Sequence, residues 1–346
     1  MKKLIMTSAC AAMFGIVGAT GALAQDAAVA PEYTFTWQSS DPAGNPNFLF
    51  QQQWTEIVTE MTAGRVKIEL MAVGSIVDYK ETQEAIAAGI LDGHITDTSY
   101  FAGKDPAFGL IANPVGAWAD PSQMIDFVEN GGGKELMQEL IGPYGLHFIG
   151  VTTPGLEAFV SKVPLDGVAD LQGVKIRAPE GLISNVFAAA GAAPVNLPSS
   201  EVYTSLDKGV IDAADYSVFS VNQQLGMNEI APNPVYPGFH SLPLIEVSMN
   251  AEKWDALPAD LQLALEQSVK VFQIIQTTTL IQRDLGAVAA AVASGKVTVH
   301  NWSAEERAKF RGFARGEWAK VAEKSEMAQK VFDTLNTYLT SKGLIQ

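Results

Sequence analysis

The chain alternates between segments of strand periodicity and segments of helical periodicity. Tyr33, Phe35 and Trp37 share one face of a predicted strand, with threonines on the other face. Further strands are predicted over residues 66–70, 147–151, 156–160, 174–177, 210–214 and 244–250, and helices over residues 48–61, 78–91, 183–190 and 199–208. This alternation predicts an α/β protein with mixed or parallel sheets.

One helical segment is much longer than the others. Residues 258–294 contain no proline after Pro258 and a single glycine, Gly286, and their apolar positions recur at helical spacing. A helix of that length spans about 50 Å, more than one lobe requires. The pattern predicts a helix that crosses two lobes, with a candidate kink near Gly286; two ordinary helices are the alternative. Two closing helices follow, the first with a capping box at Ser303 and Glu306.

The order of these segments predicts two lobes around an interlobe cleft. The first combines residues 25–150 with 242–280, and the second combines residues 151–241 with 281–346. Residues 222–241 are rich in proline, glycine and aromatic side chains, which predicts a long ordered loop.

The N-terminus has the pattern of a secretory signal peptide over residues 1–24. Lys2 and Lys3 precede an apolar run, and an Ala-Leu-Ala cleavage site ends at Ala24. We therefore expect export to the periplasm. The one cysteine, Cys10, lies in this leader, so the mature chain offers no thiol for catalysis or for metal binding.

Acidic residues clearly outnumber basic ones in this chain. The formal charge is −15, and removal of the two leader lysines leaves 21 basic against 38 acidic residues. Such a surface repels nucleic acid and anionic lipid. An anion site on this protein would need its own sheltered positive charge.

Arg177 is the best candidate for that charge. It ends a short predicted strand at Ala178-Pro179, and the clefts of α/β sheets open beyond the carboxyl ends of strands. A guanidinium there can bind a carboxylate through two parallel hydrogen bonds. The alternative is a surface arginine paired with Glu180 or Asp207.

Several other side chains are candidates for the same cleft. Asp215 and Tyr216 follow the predicted strand over residues 210–214; Asp215 could accept a bond from a ligand hydroxyl, help hold Na⁺ or Ca²⁺, or cap a helix. His240 could donate to a carboxylate or serve a structural role. The candidate aromatic walls, each also compatible with a place in the core, are Trp37, Tyr100, Phe219 and Phe239.

Residues 171–215 contain a series of short motifs: Leu171-Gln172-Gly173-Val174-Lys175-Ile176-Arg177-Ala178-Pro179, Gly191-Ala192-Ala193-Pro194-Val195, Leu197-Pro198, Ser200-Glu201-Val202-Tyr203 and Gly209-Val210-Ile211-Asp212-Ala213. In this order the motifs resemble those of the extracytoplasmic solute receptors of TRAP transporters. Thr62-Ala63-Gly64-Arg65-Val66 and Trp254-Asp255-Ala256-Leu257-Pro258 extend the similarity over most of the mature chain.

This resemblance implies the two-lobed periplasmic binding protein fold, in which both lobes close on one ligand and a long helix ties them together. It also implies membrane subunits that import the ligand with an ion gradient. In this family the arginine of the Lys-Ile-Arg segment commonly binds a substrate carboxylate, which assigns that role to Arg177.

One departure from the family pattern bears on the ligand. Many relatives carry a second substrate-binding arginine in the strand after the first lobe, whereas residues 155–159 contain none. This disfavours a dicarboxylate or sialic-acid ligand. The segments over residues 212–216 and 236–240 look like the branch that binds keto and hydroxy acids, in which the acid at position 215 can hold a bridging cation.

Other functions fit the sequence less well. An exported hydrolase would need a nucleophile with its base, yet the four histidines are scattered and neither H-E-x-x-H nor G-x-S-x-G occurs. A receptor for an ATP-driven importer would lack the motifs of residues 171–215. A receptor for a zwitterionic osmolyte of the ectoine type stays open, as does a homodimer through the C-terminal helices.

Overall fold

The computed structural model describes residues 30–345, so the predicted signal peptide lies outside the described residues. The strands are β1 (Tyr33–Ser39), β2 (Val66–Met71), β3 (Gly93–Asp97), β4 (Leu146–Thr152), β5 (Ala158–Ser161), β6 (Lys175–Arg177), β7 (Ala193–Val195), β8 (Ala213–Ser217) and β9 (Ile245–Asn250). Together they form two mixed sheets, as the alternation of segments predicted.

The helices surround both sheets. They are α1 (Pro46–Met61), α2 (Thr82–Ala87), α3 (Pro106–Ala112), α4 (Pro121–Asn130), α5 (Gly133–Ile141), α6 (Leu182–Ala189), α7 (Val202–Asp207), α8 (Phe219–Gln224), α9 (Met227–Ile230), α10 (Ala251–Asp255), α11 (Ala259–Ser294), α12 (Ala304–Ala322) and α13 (Glu326–Ser341). Short 3-10 turns lie at Thr98–Phe101, Gly142–Tyr144, Val168–Leu171 and Ser199–Glu201. Within residues 30–345, no helix combines the length and apolarity that crossing a bilayer requires.

Each lobe is built around one sheet. The first has the order β2-β1-β3-β9-β4, with β1 parallel to both neighbours and β9 antiparallel to β3 and β4. The second has the order β5-β8-β6-β7, in which β6 runs parallel to β7 and β8 and β5 runs antiparallel to β8. Parallel strands place their carboxyl ends at one edge, and in both sheets that edge faces the cleft between the lobes.

The long helix is confirmed. Helix α11 runs unbroken from Ala259 to Ser294 and continues through Gly286, which excludes the two-helix alternative. It packs on α1 and β4 of the first lobe and on α8 of the second. A continuous helix therefore contacts both lobes.

Helix α11 also holds the segments that connect the lobes. Gln276 Oε1 accepts a hydrogen bond from Thr152 Oγ1 at 2.6 Å, and Thr277 Oγ1 donates to the backbone oxygen of Thr153 at 2.9 Å. Further along the helix, Asp284 Oδ1 accepts from the backbone nitrogen of Ser220 in α8 at 2.7 Å. These bonds tie α11 to the end of β4 in the first lobe, where the chain leaves for the second lobe, and to α8 in the second lobe.

The C-terminal helices also connect the two lobes. Helix α12 packs on α6 and α3, whereas α13 packs on α3 and α5 beside the first sheet. The largest hydrophobic core consequently runs from Phe127 and Leu140 through Phe187 to Trp318 and Leu335. The lobe boundaries predicted above stay predictions; α13 lies against helices of the first lobe although residues 281–346 were expected with the second.

Three local predictions are wrong in their bounds. The predicted helix over residues 78–91 is confined to Thr82–Ala87. The predicted strand over residues 210–214 begins later, at Ala213, because Val210 and Ile211 both donate to the backbone oxygen of Ser205 in the turn after α7. Asp215 and Tyr216 therefore lie within β8. The predicted loop over residues 222–241 contains the end of α8 and all of α9.

Hydrogen bonds join the two lobes directly across the cleft. Asn45 Nδ2 donates to the hydroxyl of Tyr216 at 3.0 Å, and Ser199 Oγ donates to the backbone oxygen of Ser40 at 3.1 Å. At the rim, Lys80 Nζ lies 2.6 Å from Glu180 Oε2. The structure is thus a closed form of the two lobes.

Candidate functional site

A narrow cavity of about 40 Å³ lies between the lobes. Residues of both lobes line it, together with Pro154, Glu157 and Pro243 from the segments that cross between the lobes and Gln276 from α11. Its lining residues are Ser40, Asp41, Asn47, Gln51, Asp97, Tyr100, Pro154, Glu157, Arg177, Ser199, Tyr216, Pro243, Ile245 and Gln276. A small ligand held there would contact both lobes and would be shielded from bulk water.

Arg177 is the positive charge of this cavity. It ends β6, is 3% exposed, and is oriented by two backbone oxygens: Nε donates to Leu197 at 3.1 Å and Nη1 to Asp215 at 2.7 Å. The remaining nitrogen, Nη2, is buried and has no hydrogen-bond partner. A buried donor without a partner costs about 1–3 kcal/mol, so this atom is suited to an anionic ligand.

Two tyrosines flank the guanidinium from opposite lobes. Tyr100 follows β3 in the first lobe, and Tyr216 lies in β8 of the second. Burial raises the pKa of both hydroxyls above the ordinary value. Both side chains therefore stay protonated at neutral pH, and both line the cavity.

Two carboxyl groups form the first-lobe side of the cavity. Asp41 follows β1 and accepts a hydrogen bond from Gln51 Nε2 at 2.8 Å; Asp97 ends β3 and accepts from the backbone nitrogen of Ser99 at 2.8 Å. Burial raises the pKa of Asp41 to about 6, and the charge of Asp97 adds to that rise. Burial likewise raises the pKa of Asp97 to about 6, despite its bonds from Ser99 and the charge of Arg177.

A buried polar cluster lies beside the second-lobe side of the cavity. Ligand atoms of Glu157, Asp215 and His240 lie within 4.8 Å of one another. His240 Nε2 is 2.9 Å from Asp215 Oδ1, and Glu157 Oε2 accepts from Ser241 Oγ at 2.5 Å. Burial, and next the charge of Asp215, raise the pKa of Glu157. Burial opposes the ionisation of Asp215, but His240, Glu157 and the charge of Arg177 together outweigh burial and lower the pKa of Asp215.

The structure brings some of the predicted site residues together and separates others. Arg177, Tyr100 and Tyr216 line the cavity, while Asp215 and His240 lie directly behind Glu157. Asp215 still contacts the site, since its backbone oxygen holds Arg177.

Three of the predicted aromatic walls lie in the core instead. Trp37 is fully buried within β1 and packs on Trp54 at 5.3 Å, because alternation turns its side chain to the helix-covered face of the sheet. Phe239 packs on Trp302 at 4.9 Å, and Phe219 packs on Tyr236 at 5.5 Å. Within the described chain, none of the three lines the cavity.

Sequence reasoning missed the acidic side chains of the site. Asp41, Asp97 and Glu157 all line the cavity, yet none was a candidate. Asp41 and Asp97 stand at the carboxyl ends of parallel strands β1 and β3. The rule that selected Arg177 would have selected these two residues as well; Glu157, before the antiparallel strand β5, offered no such signal.

Comparison with known proteins supports a binding function. Residues 38–325 match the family described as bacterial extracellular solute-binding protein, family 7. The chain is 30% identical to the monocarboxylate 2-oxoacid-binding periplasmic protein of Nostoc sp. over 67% of its own length. That match spans 64% of the Nostoc protein, a little less than two thirds of its length.

Solved structures extend the similarity to the whole fold. A TRAP periplasmic solute-binding protein from Rhodobacter sphaeroides, in its apo open form, is 76% identical and matches 90% of this chain and 99% of its own at a TM-score of 0.75. A TRAP transporter solute-binding protein from Bordetella bronchiseptica, a mixed-occupancy dimer with copurified calcium and picolinate, is 21% identical over 90% of this chain and 93% of its own, at a TM-score of 0.82. This chain thus superposes better on the 21%-identical Bordetella structure than on the 76%-identical open structure.

Proposed function

Since the chain belongs to the family-7 bacterial extracellular solute-binding proteins, we propose that it captures a small organic monocarboxylate in the interlobe cavity and delivers it to the membrane subunits of a TRAP transporter. The single observation that carries the proposal is Arg177, a buried guanidinium that lines the cavity beside Tyr100 and whose Nη2 forms no hydrogen bond of regular geometry among the described residues. Nε and Nη1 are already bound to backbone oxygens, so the side chain is fixed before a ligand arrives.

The energetics require more than this one group. A charge-assisted hydrogen bond shielded from water contributes about 1.5–3 kcal/mol, whereas micromolar affinity corresponds to about 8 kcal/mol. Arg177 therefore accounts for part of the affinity. The two tyrosine rings and the closure of the lobes, which removes the ligand from water, supply the remainder.

A monocarboxylate fits the charges of the site better than a dicarboxylate does. Arg177 is the one cationic side chain among the described residues that line the cavity, and ionised Asp41 and Asp97 would repel a second carboxylate. The similarity to a 2-oxoacid-binding protein of Nostoc sp. supports the same class. A dicarboxylate is the less favoured ligand on this ground.

A bridging cation is a further part of the proposal. Glu157 and Asp215 supply carboxylate oxygens, the donor type that Na⁺ and Ca²⁺ prefer. The donor set fits such an ion only in part, because His240 already binds Asp215 and Ser241 already binds Glu157. The Bordetella protein holds calcium together with picolinate, which supports measuring ligand binding with and without added Ca²⁺.

We also propose that the mature chain works in the periplasm and leaves the bound molecule unchanged. The signal peptide predicted over residues 1–24 supports export. The cavity is built to hold an anion between two closing lobes, so we expect binding and release without turnover of the ligand.

The first prediction concerns Arg177. Arg177→Ala is expected to abolish the thermal stabilisation that small monocarboxylates give the wild-type protein, because Nη2 is lost with the side chain. The variant should stay folded, although two backbone oxygens lose a donor at a cost of about 1–3 kcal/mol. Differential scanning calorimetry with a panel of small acids measures both effects.

Arg65→Ala is the matched control, since Arg65 pairs with Glu32 and Asp260 far from the cavity. Arg177→Lys keeps the positive charge but loses the planar fork, and we expect it to weaken binding without abolishing it. Full ligand stabilisation of Arg177→Ala would remove this residue from the mechanism.

A further inference from the structure

The cavity carries an excess of acidic groups for a receptor of simple anions. Asp41, Asp97 and Glu157 line it together with one guanidinium, that of Arg177. Burial raises the pKa of Glu157 and so disfavours its ionised form, but Asp41 and Asp97 remain to be balanced. Enclosing an unpaired charge away from water is costly, so the ligand has to compensate more than Arg177.

Asp41 and Asp97, which we call the acidic pair, have no cation within ion-pair distance among the described residues; the charge of Arg177 acts on Asp97 only from farther away. None of the ion pairs within residues 30–345 includes either side chain. Each is oriented by a neutral donor, Gln51 for Asp41 and the backbone of Ser99 for Asp97. The acidic pair is thus positioned by the first lobe and directed toward the cavity without a cationic partner.

A second, independent observation comes from the other lobe. Nη2 of Arg177 is buried, has no partner and belongs to the same cavity. The cavity therefore has a positive side on the second lobe and a negative side on the first. A ligand that satisfies both sides needs an anionic end and an end that donates hydrogen bonds.

An ionised carboxylate accepts hydrogen bonds and donates none. A 2-oxo acid such as pyruvate offers only acceptor oxygens, so its keto group facing the acidic pair would place acceptors against acceptors. A hydroxyl or an ammonium group in that place donates hydrogen bonds to the carboxylate oxygens, and an ammonium group also balances their charge.

We infer that the ligand is a monocarboxylate that also carries a hydrogen-bond donor, a hydroxyl or an ammonium group, bound by the acidic pair while Arg177 binds its carboxylate. This inference rests on the proposed function and narrows its ligand class. It makes Asp41 and Asp97 determinants of specificity. It also explains why the lobes close. A ligand with an anionic end and a hydrogen-bond-donating end links Arg177 on the second lobe to the acidic pair on the first.

The test compares acids that differ only in the donor. Isothermal titration calorimetry with potassium salts and EDTA would use pyruvate against lactate and alanine, and butyrate against 3-hydroxybutyrate, 4-hydroxybutyrate and 4-aminobutyrate. We expect at least one hydroxy or amino acid to bind at least tenfold more tightly than its donor-free counterpart. The hydroxyl and ammonium arms separate the two donor types.

Variants of the acidic pair assign the effect to its residues. Asp97→Asn and Asp41→Asn should each reduce that preference at least tenfold and leave the donor-free acid unaffected or tighter. Asp333→Asn is the matched control, because Asp333 is exposed on α13 and accepts a bond from Gln329. The control should keep the wild-type preference.

Several outcomes would overturn the inference. Equal affinity in EDTA for every donor-bearing acid and its donor-free counterpart, or an equal loss for both members of a discriminated pair in the Asn variants, would show that the acidic pair does not bind a donor. Binding of pyruvate only with added Na⁺ or Ca²⁺, lost in the same variants, would place a cation there instead. In each case Arg177→Ala still tests the proposed function separately; if no acid binds the wild-type protein, both proposals are overturned.

Discussion

At the scale of residues, the site combines one fixed cation with several acids whose protonation burial controls. Arg177 is held by two backbone oxygens and cannot turn away from the cavity. Asp41 and Asp97 have pKa values raised to about 6, and the pKa of Glu157 is raised as well. These groups are oriented for binding at the expense of folding stability, since their charged forms are poorly solvated in the closed arrangement of the lobes.

This cost predicts how stability depends on pH. A carboxyl whose pKa is raised by folding binds its proton more tightly in the folded state, so its contribution to stability falls as pH rises from about 4 to about 6. For Asp41 and Asp97 the loss is on the order of 1 kcal/mol each after allowance for solvent screening.

The measurement is the free energy of unfolding in urea at pH 4, 5, 6 and 7, for the ligand-free wild-type protein and for the double variant Asp41→Asn/Asp97→Asn. The double variant should be more stable than the wild type at pH 7, and the difference should shrink toward pH 4. A difference that does not change with pH would mean that these carboxyls are ordinary solvated acids.

At the scale of elements, strand ends and helix termini position the site. Strands β1, β3 and β6 deliver Asp41, Asp97 and Arg177 at or just beyond their carboxyl ends. Helix α1 begins at the cavity, where the side chain of its N-cap, Asn45, accepts from the backbone of Asn47 and donates to Tyr216. Helix α11 carries Gln276 to the same place.

The long helix gives a prediction at this scale. Gly286 is exposed within α11, and a Cβ atom there would meet nothing within 4 Å. Gly286→Ala should therefore raise the free energy of unfolding by about 0.5–1 kcal/mol, because alanine loses less backbone entropy in a helix. Urea unfolding measures the change.

Gly209 supplies the matched control. A Cβ atom at Gly209 would also meet nothing within 4 Å, but its φ of +72° lies in the left-handed region. Gly209→Ala should lower stability by about 1 kcal/mol, as left-handed backbone is unfavourable for alanine. Loss of stability in both variants would indicate that α11 is bent or strained at Gly286.

At the scale of the whole molecule, the structure is a closed arrangement of two lobes that the chain crosses repeatedly. Hydrogen bonds from Asn45 to Tyr216 and from Ser199 to Ser40 span the cleft. The 76%-identical apo open structure gives a TM-score of only 0.75. A difference in the angle between lobes is expected to lower the score in this way while leaving each lobe unchanged.

The closed arrangement predicts a change of shape on binding. Ligand should lower the radius of gyration of the wild-type protein in small-angle X-ray scattering, because it links the two sides of the cleft. Asn45→Ser keeps a helix-capping oxygen but cannot reach Tyr216, so it should weaken affinity several-fold and reduce the closed fraction. A radius of gyration that stays constant on saturation with ligand would contradict closure.

The sequence by itself determined the parts that depend on local pattern. Period-two and helical spacing identify strands such as β1 and β2, and the absence of breakers identifies α11. The strand end at Arg177, together with the surrounding sequence motifs, indicated both the family and the leading candidate residue. These features are encoded by neighbours in the chain, so no tertiary information was needed.

Only the tertiary structure decided which side chains share the cavity. Asp41, Asp97 and Glu157 are far apart in sequence and meet because β1, β3 and the crossing before β5 end at one cleft. Alternation shows that Trp37 faces an apolar side of its strand, but not that Trp54 covers that side. Periodicity specifies the faces of an element, whereas the packing partners of each face follow from contacts between residues distant in the chain.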